Sequence, residues 1–251
     1  MRAVRIGIDV GGTHTKAVAI DNNTNEIIGK ASVLTTHTAK RGVAKGVIEC
    51  FEDCLSQNAI KPEEVIFIAH STTQATNAML EGDVAKVGII GIGAGGISGW
   101  LSKRQTNIER IELNNEKAVE VESTYIKLKE FNKELVEKTI QDFIESGVQV
   151  IVATKAFGVD DATEEEIVSD IARKKNLLTT SASEITKLYG LATRTKTAAL
   201  NASILPTMLE TANSTEISVK ETGIDVPLMI MRGDGGVMEI SEMRRRPILT
   251  M

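Results

Sequence analysis

The residue types best suited to chemistry fall early in the chain, in IGIDVGGTHTKAVAI over 6–20: Asp9, Gly11, Gly12, Thr13 and Thr15. Two adjacent glycines let backbone N–H groups approach an anion with no Cβ in the way. Two threonine hydroxyls add donors. An acid at the end of the preceding apolar run is placed to hold Mg²⁺, directly or through water, as carboxylates do beside phosphates. The bland alternative is a hairpin whose acid only caps the turn. A second acid–glycine run, Asp234, Gly235 and Gly236, has the same character and is open to the same two readings. In HSTTQATNAMLEG over 70–82, Ser71, Thr72 and Thr73 follow an apolar run and Asn77 lies a turn further on. Hydroxyls there can cap a helix or hold an anion or a carbonyl oxygen. Arg194 can grip a carboxylate or phosphate with two parallel N–H groups, or make a surface ion pair.

Other patterns exclude more than they offer. Gly91, Gly93 and Gly96 spell G-x-G-x-x-G. That dinucleotide fingerprint belongs in an opening βαβ unit, with an acid about 20 residues on at the end of the next strand. Glu116 has the distance but sits in a polar stretch, so a flexible loop is expected. Cys50 and Cys54 share a helical face and have no metal-ligating partners nearby, which reads as reduced thiols. His14, His37 and His70 are scattered. A net charge of −5 and an aromatic content of 3% argue against nucleic acid. No apolar run reaches the ~18 residues of a membrane span. A strand-like start without a signal-peptide pattern predicts a cytoplasmic protein.

The elements that must position these residues are those of an α/β chain. Alternation around Gly11-Gly12 predicts a hairpin over 6–20, and 26–35 a third antiparallel strand. Val43, Val47, Ile48, Phe51, Cys54 and Leu55 recur at helical spacing. Buried strands are expected at 65–69, 84–92 and 148–153, with further strands at 119–125, 177–181 and 226–231. Of these, 65–69 and 148–153 are expected to join the opening meander in parallel. Helices are expected to start at 71–73, to run over 131–144, over 163–175 with Thr163 and Glu166 as a capping box, and over 191–209 with a break or kink at Pro206. The last residues read as an extended tail, cut short.

Four segments in order resemble the hydantoinase A and 5-oxoprolinase family, within the sugar kinase, Hsp70 and actin (ASKHA) ATPase superfamily: IDVGGTHTKAV (8–18), HSTTQATNAMLEG (70–82), RTKTAALNASILP (194–206) and LMIMRGDGGVM (228–238). The resemblance implies an RNase-H-like lobe over 1–182, opening with a three-stranded antiparallel meander, and the beginning of a second lobe over 183–251. It implies ATP and Mg²⁺, with Asp9 serving the metal. Gly11, Gly12, Thr13, Thr15, Asp234, Gly235 and Gly236 would hold phosphate. Ser71, Thr72, Thr73, Asn77 and Arg194 would touch substrate. His14 and Lys16 stand where relatives have Phe and Asp, the loop 93–96 stands where they have Gly-Phe-Arg-Asp, and AFGVDDATEEE (156–166) replaces a Ser-Tyr-Asn-Pro pattern.

The implied reaction is ATP-dependent activation of a cyclic amide, a lactam or hydantoin, for ring-opening hydrolysis. The implied setting is an oligomer with a second, hydantoinase B-like subunit. Two rivals remain, the ATP-using subunit of a ketone carboxylase and a non-catalytic nucleotide-sensing or scaffold subunit. Relatives continue into a second phosphate hairpin, so the chain is expected to be the amino-terminal part of a longer ATPase. Alone it should then turn over ATP poorly or not at all, since one lobe leaves the far side of the phosphoryl group in water. Steady-state phosphate release by the purified 251-residue chain checks this, and robust turnover would overturn it.

Overall fold

A computed structural model describes residues 2–35, 43–224 and 226–251, with backbone alone at 43–45 and 218; His37 and the Val43 side chain lie outside the described residues. In chain order the elements are β1 (Val4–Val10), β2 (His14–Asp21), β3 (Ile27–Leu34), α1 (Val43–Gln57), β4 (Val65–Thr72), α2 (Gln74–Glu81), β5 (Val87–Gly93), α3 (Gly96–Thr106), β6 (Arg110–Glu112), β7 (Ala118–Lys127), α4 (Lys133–Glu145), β8 (Val150–Lys155), α5 (Thr163–Lys174), β9 (Leu178–Ser181), α6 (Ala182–Ile185), α7 (Leu191–Glu221), β10 (Leu228–Met231), β11 (Val237–Glu239) and α8 (Ile240–Met243). They form two compact units, one of 1–77 with 207–251 and the other of 78–206. This grouping by contact interleaves the chain, whereas the division into 1–182 and 183–251 is contiguous.

The first unit is built on a six-stranded sheet in the order β11-β10-β4-β1-β2-β3. β1, β2 and β3 form the antiparallel meander, and β4 joins β1 in parallel. Strict alternation in β1 sends Val4, Ile6, Ile8 and Val10 to the packed face and leaves Gly7 and Asp9 exposed. α1 covers the packed face with Val47, Cys50, Phe51, Cys54 and Leu55. Both cysteines are free and buried, and burial pushes the Cys50 thiol up to about 11, so these are inert packing groups. The second half of α7 adds Met208, Ala212, Thr215 and Val219 to the interior.

The second unit carries a five-stranded sheet in the order β6-β7-β5-β8-β9, parallel except for β6. Its central strands are apolar on both faces, as a parallel sheet covered on both sides requires. On one face Val87, Ile89, Val150 and Val152 meet Ala198, Ala199, Ala202 and Leu205 of α7. On the other, Ile90, Ile92, Ile151 and Ala153 meet α4 and α5 through Val136, Ile140, Phe143, Val168 and Ile171.

Several expectations are corrected here. The strand expected at 148–153 is β8, which pairs with β5 and β9 and not with the meander. The G-x-G-x-x-G run is not a flexible loop: Gly91 and Gly93 end β5 and Gly96 opens α3. A Cβ at Gly93 would sit 2.5 Å from the Tyr125 hydroxyl, so that glycine permits close packing. β4 runs on through Thr72, and α2 begins only at Gln74. Thr163 is the first residue of α5, not its cap; Asp161 accepts its N–H at 3.1 Å and its hydroxyl at 2.6 Å. α7 is helical beyond Pro206 to Glu221. The terminal residues form α8 and a short 3₁₀ turn, Pro247–Thr250, in place of an extended tail.

Gly88 offers a sharp check on the second core. A Cβ there would lie 2.6 Å from the Phe143 ring and 2.9 Å from Val148. Gly88→Ala should therefore destabilise by about 1–3 kcal/mol through overpacking, read as a lowered midpoint in urea with unchanged slope. An unchanged midpoint would contradict the packing described.

Candidate functional site

The candidate site is the solvent face of the first sheet where β1 ends. β1 and β2 are joined by Gly11, Gly12 and Thr13. The Gly11 N–H donates to the His14 carbonyl at 3.1 Å, and a Cβ on Gly11 would crowd that same oxygen. A Cβ on Gly12 would meet nothing within 4 Å among the described residues. The turn is braced from behind by Thr35, whose hydroxyl donates to the Gly11 carbonyl at 2.7 Å and whose N–H donates to the Thr13 carbonyl at 2.9 Å. Nothing in the sequence singles out Thr35 for this task.

Asp9 is exposed, and the parallel register sets it opposite Ser71 of β4. The Ser71 hydroxyl donates to Asp9 Oδ1 at 2.5 Å, a short charge-assisted bond that fixes the carboxylate and leaves Oδ2 without a hydrogen bond among the described residues. On the other side Asp9 faces Lys16 of β2, also exposed, with no ion pair between them. The structure thus brings together Asp9, Gly11, Gly12, Thr13 and Ser71.

The remaining sequence candidates are placed differently. Thr15 is fully buried on the packed face, its hydroxyl 3.2 Å from that of Thr35, so it supports the turn from beneath. Thr72 is buried and accepts the Gln74 N–H at 3.1 Å. Thr73 is exposed, and its carbonyl accepts the Asn77 N–H in the first turn of α2. Asp234 is spent within its own turn: Oδ1 accepts the Gly236 N–H at 3.0 Å, and Oδ2 pairs with Arg232 at 2.5 Å. That turn closes the β10–β11 hairpin.

Arg194 belongs to the second unit and is 0% exposed. It donates to the carbonyls of Leu188 and Lys155, both at 2.8 Å, and burial lowers its pKa. It is neither a surface ion pair nor in contact with solvent.

His70 lies next to Ser71 in β4 but points to the packed face, paired across from Ile8 and Ile230. It is 2% exposed, its Nδ1 has no hydrogen-bond partner among the described residues, and burial drives its pKa down to about 4 against the opposing pull of Asp9. Among the described residues no group of three His, Cys, Asp or Glu side chains is arranged for a metal. An exposed carboxylate beside a glycine turn still fits Mg²⁺, which keeps most of its waters and takes one or two carboxylates along with phosphate oxygens.

This architecture is that of ATP-dependent enzymes of known structure. Acetone carboxylase in its nucleotide-free form matches 99% of the chain over 39% of its own length, with TM-score 0.71 and 16% identity. An ATP-dependent caprolactamase from Pseudomonas jessenii matches 98% over 38% of its own length, with TM-score 0.68 and 23% identity. The chain therefore spans about two-fifths of the length of these structures. At these identities the likeness is one of fold. Residues 5–176 match the hydantoinase/oxoprolinase N-terminal region and residues 194–251 match hydantoinase/oxoprolinase, so the chain belongs to the hydantoinase/oxoprolinase family. No curated protein matches the sequence.

The buried His70 gives a pH prediction. Its folded pKa, about 4, lies below the ordinary 6.5, so between those values the unfolded chain binds more protons. Stability from this group is complete above pH 6.5 and is lost as pH falls toward 4, in total on the order of 3 kcal/mol. Urea denaturation of wild type and His70→Gln at pH 7.5 and 4.5 should show a smaller acid loss in the variant. Equal losses would mean that His70 does not titrate in this window.

Proposed function

We propose that the chain is the ATP-binding portion of an ATP-dependent hydrolase that activates a cyclic amide for ring opening. The observation that carries this reading is the exposed Asp9 carboxylate, held by Ser71 at 2.5 Å beside the Gly11-Gly12 turn, in a chain of the hydantoinase/oxoprolinase family. Asp9 Oδ2 would take Mg²⁺, through water or directly, and the N–H groups around Gly12 and the Thr13 hydroxyl would hold phosphate oxygens. Lys16, directly across from Asp9, adds positive charge to the same face. Mg²⁺ bridges carboxylate and phosphate and neutralises their repulsion.

An amide carbon is a poor electrophile. Transfer of the γ-phosphoryl group to the amide oxygen releases ADP and leaves a carbon that water can attack. Water addition, loss of phosphate and C–N cleavage then open the ring. The part assigned to this chain is positioning and charge stabilisation. A second, hydantoinase B-like subunit and an oligomeric assembly belong to the same proposal.

Ketone carboxylation is the second reading, favoured by the fold likeness to acetone carboxylase. It uses the same nucleotide face. In the larger ATPase of which this chain is proposed to be the ATP-binding portion, ADP release stimulated by a lactam and not by acetone with bicarbonate supports the hydrolase, and the reverse supports the carboxylase. Indifference to both favours a nucleotide-sensing subunit.

The nucleotide role itself is tested by melting. Mg·ATP at about 100 times its Kd should stabilise the chain by roughly 2.7 kcal/mol over Mg²⁺ alone. Asp9→Asn should abolish that shift while leaving the ligand-free melting temperature unchanged, because Asp9 is exposed. If Asp9 only caps the turn, the variant instead loses about 1 kcal/mol of stability and keeps the shift.

A further inference from the structure

Helix α3 buries its small residues and exposes its large ones. Gly99 and Thr106 are its buried positions, and a Cβ on Gly91 of β5 would strike the Thr106 hydroxyl at 2.3 Å, so the helix meets its sheet closely there. Ile97, Trp100 and Leu101 are left on the outside. Beside Leu101 lies a cleft of about 750 Å³ whose lining belongs wholly to the second unit. α3 gives it Leu101 and Arg104, the turn into β6 gives Ile108, Glu109 and Arg110, and the first turns of α7 give Ala192 and Lys196. Leu101 with Arg104, and Ala192 with Lys196, are each a helical turn apart and so share a face. The volume falls in the range of small-molecule sites.

The walls of this cleft are fixed. The Asn107 N–H donates to the Lys103 carbonyl at 2.8 Å, which ends α3. The Ser123 hydroxyl of β7 accepts the Ile108 N–H at 3.1 Å and donates to the Ile108 carbonyl at 2.6 Å. The Glu109 carbonyl accepts the Val121 N–H at 3.0 Å. On the opposite wall, buried Arg194 and Thr195 tie the start of α7 to Lys155 and Thr154. A site held in this way loses little freedom when a ligand enters.

Charge in the cleft is unbalanced. Arg104, Arg110 and Lys196 are exposed, and among the described residues their side chains have no ion pair and no hydrogen bond. Arg104 rests over the Trp100 ring, its Cζ 5.9 Å from the centroid, which orients the guanidinium without neutralising it. Glu109 is the one carboxylate in the lining, and Glu120 stands opposite Arg110 across the β6–β7 pairing with no ion pair to it. Guanidinium groups suit the planar, two-oxygen geometry of a carboxylate. The two acids disfavour a dianion such as phosphate. Leu101, Ile108 and Ala192 give the remaining surface to an apolar body.

We propose that the cleft between α3, the β6 turn and the start of α7 is a binding site for a small organic monocarboxylate with an apolar body, held by Arg104, Arg110 and Lys196. Such a ligand is additional to the nucleotide and the amide of the reaction proposed above. The probe is phenylacetate, with phenylacetamide and phenethylamine as neutral and cationic molecules of similar body and inorganic phosphate as a bare anion. Each is titrated into the 251-residue chain and followed by ligand-observed NMR and by the emission of Trp100, the single tryptophan, which Arg104 covers. Phenylacetate should bind in preference to the other three and change the Trp100 emission. Arg110→Gln and Lys196→Gln alter exposed side chains outside any ion pair, so both should melt at the wild-type temperature. Each should raise the phenylacetate Kd about ten-fold, the worth of one hydrogen bond to a charged group. Equal binding of phenylacetamide would reduce the cleft to an apolar surface, and binding of phosphate without phenylacetate would reduce it to bare charge; either overturns the proposal. So would preference for phenethylamine, wild-type affinity in both variants, or no binding of phenylacetate.

Discussion

The parallel pairing of β1 with β4 is the constraint on which the first unit and its candidate site depend. It joins segments far apart in sequence and aligns Ile8 with His70, Asp9 with Ser71 and Val10 with Thr72. Side chains alternate with period two, so this register sends Ile8, Val10, His70 and Thr72 into the packed face and Asp9 and Ser71 out of it. A slip by one residue would bury Asp9 and expose Ile8. The burial of Ile6, Ile8 and Ile68, worth roughly 1.5–3 kcal/mol per side chain, therefore also fixes a carboxylate at the mouth of a glycine turn. The hydrophobic effect here positions a charged group that it does not itself contact.

The same alternation explains what was legible in advance. The hairpin, the meander, the buried strands at β5 and β8 and the amphipathic helices α1, α4 and α5 all have a strong period or a continuous apolar run. What escaped has no such signature. α3 is GISGWLSKRQT, with three of its large apolar residues, Ile97, Trp100 and Leu101, facing water. No apolar stripe marks it, so only its neighbours make it a helix. The assignment of β8 to a second sheet is likewise absent from the local pattern, since a buried apolar strand reads the same in any parallel sheet.

Candidate residues divided along similar lines. Asp9, Gly11, Gly12 and Thr13 are local in sequence, and a hairpin suffices to gather them. Thr15 shows the limit: it is two residues from Thr13 and four from Gly11, but strand alternation turns it to the packed face and to Thr35. Arg194 shows another. Its partners, Leu188 O and Lys155 O, are backbone atoms, which no side-chain pattern announces. A guanidinium that satisfies carbonyls costs less to bury than one left bare, and Glu165 supplies the nearby countercharge.

The two units contrast in how they treat charge. In the first, Asp9 and Lys16 face each other across two strands with no ion pair between them. In the second, Lys155, Asp161, Glu164, Glu165 and Arg194 are drawn into one network around a single residue. Removing Glu165 or Arg194, both fully buried, leaves a buried backbone N–H or carbonyl of Lys155 with one partner fewer, a cost above the net worth of an exposed pair. A network of that kind specifies geometry more than it adds stability. The geometry it specifies is the path of the chain through Ala156, Phe157 and Gly158, where a Cβ on Gly158 would lie 2.5 Å from a Glu165 carboxylate oxygen. Paired charge thus fixes the loop that ends β8, just as unpaired charge marks the face where β1 ends.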